Sequence, residues 1–138
     1  MYSYGNESKL LLTQARQGLQ IVFFEAIQYV DIKILQTYRD EEEQGEYFRT
    51  GRSKVEFPYS KHNRLPSSAV DWAPWPIPDK WGEDDPKEKA KYYYVGGILM
   101  AIGHSKGIKL RWGGDWDGDA DFNDQTFDDL GHIEEVDY

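Results

Sequence analysis

Residues 57–86 constrain the fold of this chain more than any other stretch, because they are rich in proline, serine and tryptophan. Within this stretch, residues 71–81 read DWAPWPIPDKW. Prolines fix the backbone and remove hydrogen-bond donors, so this segment cannot form a long helix. We therefore predict a strand that ends near Asp71, followed by an irregular loop over the surface.

The residues before this segment show two periodicities. Apolar residues recur at three- and four-residue spacing from Leu19 to Val30, which predicts an amphipathic helix, and Gly18 is expected to separate it from a shorter helical piece over residues 8–16. Ile32 and Ile34 then alternate with polar residues, as in a short strand. Asp40 is expected to cap a helix over residues 41–49.

The residues after the segment predict a long helix and two strands. Asp85 is a capping acid followed by a proline, which is a strong helix start, and Gly107 is expected to end that helix. Residues 108–112 and 132–136 are expected to be short strands around an acidic loop. The fold class predicted is α+β, with about three helices packed on a small, mostly antiparallel sheet.

Composition narrows the classes of function. A chain of 138 residues with 39% hydrophobic residues predicts one domain with a real core, residues 1–138. The formal charge of -9 argues against a nucleic-acid binder. The longest apolar tract, residues 92–103, is too short to span a bilayer. The chain has no cysteine, so any metal must be held by nitrogen and oxygen ligands.

Two blocks place histidines close to aspartates. Residues 60–71, SKHNRLPSSAVD, contain His62 and Asp71, and residues 127–135, FDDLGHIEE, contain Asp129 and His132. A catalytic zinc ion takes three protein ligands and needs a nearby carboxylate as base, a set that these four residues supply. Because 25 of the 138 residues are acidic, the spacing alone leaves open that His62 and Asp71 are ordinary polar loop residues.

The order of several motifs carries a resemblance to a known family. The block SKHNRLPSSAVD, followed by RWGGDWDGD at 111–119 and FDDLGHIE at 127–134, resembles zinc peptidases that include phage L-alanyl-D-glutamate endopeptidases and bacterial D-alanyl-D-alanine carboxypeptidases and dipeptidases. The segment TYRDEEEQGEYFRTGRSK, residues 37–54, is similar to the part of these peptidases that precedes the first zinc ligand. The resemblance implies the D-Ala-D-Ala peptidase or hedgehog-like fold, with zinc bound on the sheet. It covers the chain from about Leu19 to Glu134, so we expect a single zinc peptidase domain, residues 1–138, with no separate cell-wall-binding domain.

The resemblance also implies roles for individual residues. It makes His62, Asp71 and His132 the zinc ligands, Asp129 the general base and Arg39 the group that steadies the oxyanion. Ser60 matches a serine that contacts substrate or orients the first ligand. Gln44 is expected to line the groove, with an exposed helix position as the alternative. The block differs from the family at Gly131, where a proline is usual.

The acidic loop at residues 113–124 has features of a Ca²⁺ site, and the resemblance implies a regulatory role for it, since some phage relatives are regulated by calcium through this region. Asp115, Asp117, Asp119 and Asp121 stand at alternate positions, as in a calcium-binding loop. Position six of such a loop is normally glycine and is Ala120 here, and no glutamate closes the loop. A plain solvated acidic turn is therefore the alternative to Ca²⁺ binding.

The function predicted is that of a phage endolysin-like zinc endopeptidase that cuts the L-alanyl-D-glutamate bond of the peptidoglycan stem peptide. The resemblance favours this bond because the base is an aspartate rather than the glutamate of the D-alanyl-D-alanine dipeptidases. The alternatives are a D-alanyl-D-alanine carboxypeptidase and, from a different class, a non-catalytic zinc-stabilised binding module. A cluster of Arg52, Lys54, Lys61 and Arg64 is expected to attract the carboxylates of the stem peptide. Without a signal-peptide pattern, we expect a monomer made in the host cytoplasm that reaches the wall after the membrane is permeabilised.

Overall fold

The computed structural model describes residues 2–125 and 128–137, so Phe127, the first residue of the FDDLGHIEE block, lies outside the described residues. Within these residues, four α-helices, four strands and two short 3₁₀ helices build the domain. In chain order they are α1 (Asn6–Leu12), α2 (Gln17–Ala26), β1 (Ile32–Gln36), α3 (Glu41–Arg49), the first 3₁₀ helix (Lys61–Asn63), β2 (Ala69–Pro74), the second 3₁₀ helix (Asp79–Gly82), α4 (Pro86–Lys106), β3 (Leu110–Gly113) and β4 (Asp129–Glu135).

The strands form one sheet in the order β1-β2-β4-β3, and every neighbouring pair is antiparallel. The α+β class and the antiparallel sheet are therefore confirmed. In the pairing of the two central strands, Asp71 of β2 lies opposite His132 of β4. The register of the sheet thus brings together two predicted ligands that are far apart in sequence.

Several boundaries differ from the sequence prediction. Helix α1 covers Asn6–Leu12 rather than residues 8–16, and β3 covers Leu110–Gly113 rather than residues 108–112. Strand β2 does not end at Asp71 but continues to Pro74. Pro74 has no N–H to donate, but this does not affect the pairing with β4, because β4 pairs only with residues 69–71 of β2. Strand β4 begins at Asp129 rather than at His132, so Asp129 lies on a strand and not in a turn. Gly18 does not separate two helices, since it lies in the first turn of α2.

The core lies on one face of the sheet, beneath α2 and α4. Val70 and Trp72 of β2 are buried in it, together with Val95, Leu99 and Ile102 of α4. Successive side chains of a strand point to opposite faces. Asp71, between Val70 and Trp72, therefore points away from this core, and the opposite face of the sheet is available for a polar site.

Helix α4 approaches the sheet closely at two glycines, Gly96 and Gly103. A Cβ atom on Gly96 would lie 2.3 Å from the Trp112 ring of β3, whereas a Cβ on the neighbouring Gly97 would meet nothing within 4 Å. Both residues lie inside the same helix. Of these two neighbouring glycines, Gly96 is therefore required for packing, and Gly97 is an ordinary exposed helix position.

We predict opposite effects for two alanine substitutions in α4. Gly96→Ala should lower the free energy of unfolding by about 1–3 kcal/mol, because the methyl group overpacks against Trp112. Gly97→Ala should raise it by about 0.5–1 kcal/mol, because alanine is the better helix former. Urea denaturation of both variants measures this, and equal effects of the two substitutions would contradict the packing described.

Candidate metal centre and active site

Asp71 is the centre of a polar cluster on the free face of the sheet. Its Oδ1 atom lies 3.2 Å from Nε2 of His62 and 3.1 Å from Nδ1 of His132. The three potential ligand atoms all lie within 4.8 Å of one another. The structure therefore brings together the three residues that the sequence predicted as zinc ligands, in an arrangement that can hold a metal ion.

The tautomer of His62 is fixed by the backbone. Nδ1 of His62 lies 2.7 Å from the carbonyl oxygen of Thr37. A carbonyl can only accept a hydrogen bond, so Nδ1 carries the proton and the lone pair of Nε2 faces Asp71. The ring is only 4% exposed, which leaves it little room to turn away.

Ser60 orients the short helix that carries His62. Its hydroxyl accepts a hydrogen bond from the backbone N–H of His62 at 3.2 Å, and its own N–H donates to the side chain of Asn63 at 3.0 Å. These two bonds form a capping box. Of the two roles expected for Ser60, the structure provides the contacts for orienting the histidine, and Ser60 also lines the groove described below.

His132 is oriented by a carboxylate that the sequence analysis did not single out. Nε2 of His132 lies 2.9 Å from Oε1 of Glu134, which accepts the Nε2 proton, so Nδ1 is the nitrogen that faces the site. Such an outer carboxylate also makes the imidazole a better metal ligand. The signal was present in the sequence, because residues two apart on a strand share a face.

The charges of the cluster shift its pKa values strongly. Burial alone would raise the pKa of Asp71, but the His62 and His132 rings hold it below its ordinary value. Burial alone would lower the pKa of His132, yet hydrogen bonds to Asp71 and Glu134 raise it to about 10. The site thus attracts positive charge, and protons and a metal ion compete for the same lone pairs.

Arg39 is held beside Asp71 by two amide side chains. Gln36 accepts hydrogen bonds from Nε and from one terminal nitrogen of Arg39, at 3.0 and 2.8 Å. Gln44 accepts from the other terminal nitrogen at 2.7 Å. The guanidinium lies 3.7 Å from Oδ2 of Asp71. Burial lowers the pKa of Arg39, although Asp71 opposes this shift, and an arginine remains charged at neutral pH.

Gln44 has a different environment from the two that the sequence suggested. It is fully buried, so it is not an exposed helix residue, and it is not among the residues that line the groove. Its amide nitrogen donates to the Ser53 hydroxyl at 3.0 Å and to the Val55 carbonyl at 2.5 Å. The loop after α3 covers Gln44, whose acceptor oxygen is left to fix Arg39.

A groove of about 1180 Å³ runs over this face of the sheet. His62, Asp71 and His132 lie in its wall together with Arg39 and Asp129. Burial raises the pKa of Asp129, and the charge of Asp71 adds to this, while the His132 charge opposes it. A carboxylate whose pKa is raised toward neutrality is suited to accept a proton and return it.

The acidic loop after β3 groups only part of the predicted calcium set. Carboxylate oxygens of Asp115, Asp117 and Asp119 lie within 4.8 Å of one another. Asp121 is outside this group, and its carboxylate accepts the N–H of Asn123 at 3.0 Å. Ala120 has a φ of 64°, the left-handed conformation that glycine usually supplies in such loops. Calcium binding by this loop stays a prediction.

Comparison with known proteins identifies the family. Residues 1–136 match the family described as phage L-alanyl-D-glutamate peptidase, and the chain belongs to this family. The L-alanyl-D-glutamate peptidase of Escherichia phage T5 is 28% identical over 141 residues, covering 98% of each chain. The resemblance drawn from the motifs is thereby confirmed.

A solved structure shows the same fold. The crystal structure of the Serratia marcescens L-Ala D-Glu endopeptidase ChiX matches this chain with a TM-score of 0.70 and 22% sequence identity. The match covers 96% of this chain and 89% of the ChiX chain. The architecture described above is therefore the same fold as that of the ChiX chain.

We predict that the buried amide of Gln44 positions Arg39. Gln44→Met keeps the size of the side chain but leaves one Arg39 nitrogen without its acceptor, so kcat on purified peptidoglycan should fall about tenfold or more. Unfolding should become easier by about 1–3 kcal/mol. Gln28→Met, at an exposed position of the N-terminal half, is the matched control and should change neither. Full activity of Gln44→Met would show that Arg39 needs no such support.

Proposed function

We propose that this protein is a zinc-dependent endopeptidase, similar to phage endolysins, that hydrolyses the L-alanyl-D-glutamate bond of the peptidoglycan stem peptide. The observation that carries the proposal is the convergence of His62 Nε2, Asp71 Oδ1 and His132 Nδ1 within 4.8 Å. Family membership supports the bond and the substrate.

The donor set fits zinc. Two imidazole nitrogens and one carboxylate oxygen form the usual protein ligands of a catalytic zinc ion, which keeps a further position open. Thr37 and Glu134 accept the outer ring protons of the two histidines, as the partners of zinc-bound histidines do. When bound, zinc acts as a Lewis acid that lowers the pKa of a water molecule and polarises a carbonyl group.

Asp129 is proposed as the group that moves the proton. It lies in the same groove as the three ligands, and burial raises its pKa. In its ionised form it would take the proton of the attacking water, and it would then deliver that proton to the leaving amine of the D-glutamyl residue. A partly desolvated carboxylate performs both steps better than a fully solvated one, because its pKa is shifted upward, toward neutral pH.

Arg39 is proposed to stabilise the oxyanion. Its guanidinium is held at three nitrogens by Gln36 and Gln44 and is only 5% exposed. A donor that is already oriented stabilises the developing negative charge without reorganisation at the moment of reaction. A protein that only bound peptidoglycan would not need this buried arginine or Asp129, which disfavours the non-catalytic alternative.

The cellular setting is part of the same proposal. The substrate is the stem peptide of the bacterial wall, and we expect a monomeric enzyme that reaches it from the host cytoplasm after the membrane is permeabilised. Among the described residues, none of the helices is both long enough and apolar enough to cross a membrane. Neither a nucleic acid nor insertion into the membrane is required by the proposal.

The products of digestion identify which bond is cut, and we predict that it is the L-alanyl-D-glutamate bond. Purified peptidoglycan treated with the protein should yield new amino-terminal D-glutamyl residues, which mass spectrometry after amine labelling detects. Release of free D-alanine with the L-alanyl-D-glutamate bond intact would support the carboxypeptidase alternative. An absence of any new amine in the presence of added zinc would favour the binding module.

We predict that metal binding and proton transfer can be separated by mutation. His62→Ala should lose zinc, and with it activity and part of the thermal stability, because a metal bound only by the folded state stabilises that state. Asp129→Asn should keep about one zinc per chain while its turnover falls roughly 10²- to 10⁴-fold. Metal content by plasma emission spectrometry and turnover on peptidoglycan measure both effects.

The adjacent carboxylate provides the control for this experiment. Asp128 is exposed, whereas Asp129 is partly buried on β4, so Asp128→Asn should retain both zinc and most of the turnover. If Asp129→Asn loses its zinc while His62→Ala retains it, the two assignments are reversed.

A further inference from the structure

A second guanidinium lies close to Arg39 at one end of the groove. The guanidinium carbons of Arg39 and Arg52 lie 4.3 and 4.5 Å from the centroid of the same Tyr47 ring. Both arginines line the groove. The positive charge of Arg52 contributes to lowering the pKa of Arg39, after burial, as expected for two like charges that are near each other.

The two arginines differ in the side chains that contact their guanidinium groups. Arg39 is surrounded by Gln36, Gln44 and Asp71. Arg52 is exposed, and in the part of the chain that the structure describes no carboxylate forms an ion pair with it within 4.0 Å. An arginine stacked on an aromatic ring keeps its charge and most of its donors available. Arg52 therefore presents an uncompensated cation to the groove.

The backbone of Arg52 is well anchored. Gly51 has a φ of 78° and turns the chain at the end of α3. The N–H groups of Arg52 and Ser53 then both donate to the carbonyl of Tyr47, at 2.9 and 3.0 Å. Ser53 also accepts a hydrogen bond from the buried Gln44. The residue that carries the cation is thus tied to the same helix and the same amide that position Arg39.

The proposed substrate brings an anion into the groove. In the stem peptide, D-glutamate continues the chain through its side-chain carboxyl group, so its α-carboxylate is free. This α-carboxylate belongs to the residue whose nitrogen forms the scissile amide, and it must enter the groove close to the reacting atoms. The carboxylates of Asp71, Asp129 and Glu134 in the groove wall would repel it, so a nearby cation is needed.

We propose that Arg52 binds the free α-carboxylate of the D-glutamyl residue and makes the enzyme selective for stem peptides in which this group is not amidated. The inference rests on the proposed function, since it concerns the residue on the carboxyl side of the scissile bond. An arginine suits this role better than the neighbouring Lys54, because its planar fork can hold a carboxylate through two parallel hydrogen bonds.

A pair of synthetic peptides tests the proposal. One is L-Ala-γ-D-Glu-L-Lys-D-Ala with a free α-carboxyl group, and the other carries the α-carboxamide in its place. The wild-type, zinc-loaded enzyme should show a KM about tenfold lower for the acid than for the amide, as expected for a charge-assisted pair. Arg52→Gln should raise the KM for the acid about tenfold and bring the ratio of the two KM values close to one.

Two further variants make the result specific. Arg52→Lys keeps the charge and should restore part of the preference for the acid. Arg49→Gln removes an equal charge from an exposed position of α3 outside the groove, and it should leave the ratio of the KM values as in the wild type. A loss of the ratio in Arg49→Gln would mean that general charge attraction, not Arg52, selects the substrate.

The outcomes separate this inference from the function on which it rests. Cleavage of both peptides at the L-alanyl-D-glutamate bond with equal KM values would overturn the role of Arg52 alone. An equal loss of kcat on both peptides in Arg52→Gln, with the wild-type ratio of KM values kept, would also overturn it. Cleavage of neither peptide at this bond by the wild-type enzyme would overturn the proposed function itself.

Discussion

The carboxylate of Asp71 is the interaction on which the polar face of this protein depends. One of its oxygens lies within 3.2 Å of a nitrogen of each histidine, and the other faces Arg39 at 3.7 Å. Removing a carboxylate from water is costly unless positive charge or hydrogen-bond donors replace the water. The placement of Asp71 on this face of β2 therefore depends on Arg39, His62 and His132, which come from three separate parts of the chain. A metal ion held by the same atoms would reinforce the arrangement.

The backbone holds these parts together independently of the side-chain charges. The N–H of Arg39 donates to the carbonyl of His62 at 2.7 Å, and the side chain of Asn63 donates to the carbonyl of Arg39 at 2.9 Å. The Thr37 carbonyl accepts from both His62 and the Ser67 hydroxyl. A buried polar network stabilises one structure only when each member has its partners. This network links the segment after β1 to the first 3₁₀ helix (Lys61–Asn63), so it fixes the position of Arg39 relative to His62.

Much of the site could be predicted from the sequence, because its members are side chains in short ordered motifs. His62, Asp71 and His132 meet as expected. Glu134 could have been found from strand alternation, whereas the Thr37 carbonyl could not, since a backbone acceptor leaves no mark in the sequence. Gln44 was placed wrongly for a related reason: its helix is acidic and looks exposed, and only the loop that folds over it makes the position buried.

The start of β4 shows why boundaries were harder to predict than ligands. Gly113 pairs with Asp129, and a Cβ atom on Gly113 would lie 2.0 Å from the carbonyl oxygen of Asp129. The glycine therefore permits a close approach of two strands. In the sequence, the same glycine stands in RWGGD and looks like the beginning of a loop. Only the pairing of distant strands gives it this meaning, and that pairing puts Asp129 on the rigid sheet.

The distribution of charge divides the groove into a floor on the sheet and a rim on other segments. The floor carries carboxylates on β2 and β4, whereas Arg52, Lys54, Lys61 and Lys89 lie around it on other segments. A chain with a net charge of -9 would repel an anionic peptide at long range, so cations beside the groove are needed to reverse the local field. The exposed rings of Tyr59 and Trp81, at 80% and 55%, lie on the same rim. The sheet therefore fixes the relative positions of Asp71, Asp129 and His132, while other segments carry the cations that surround them.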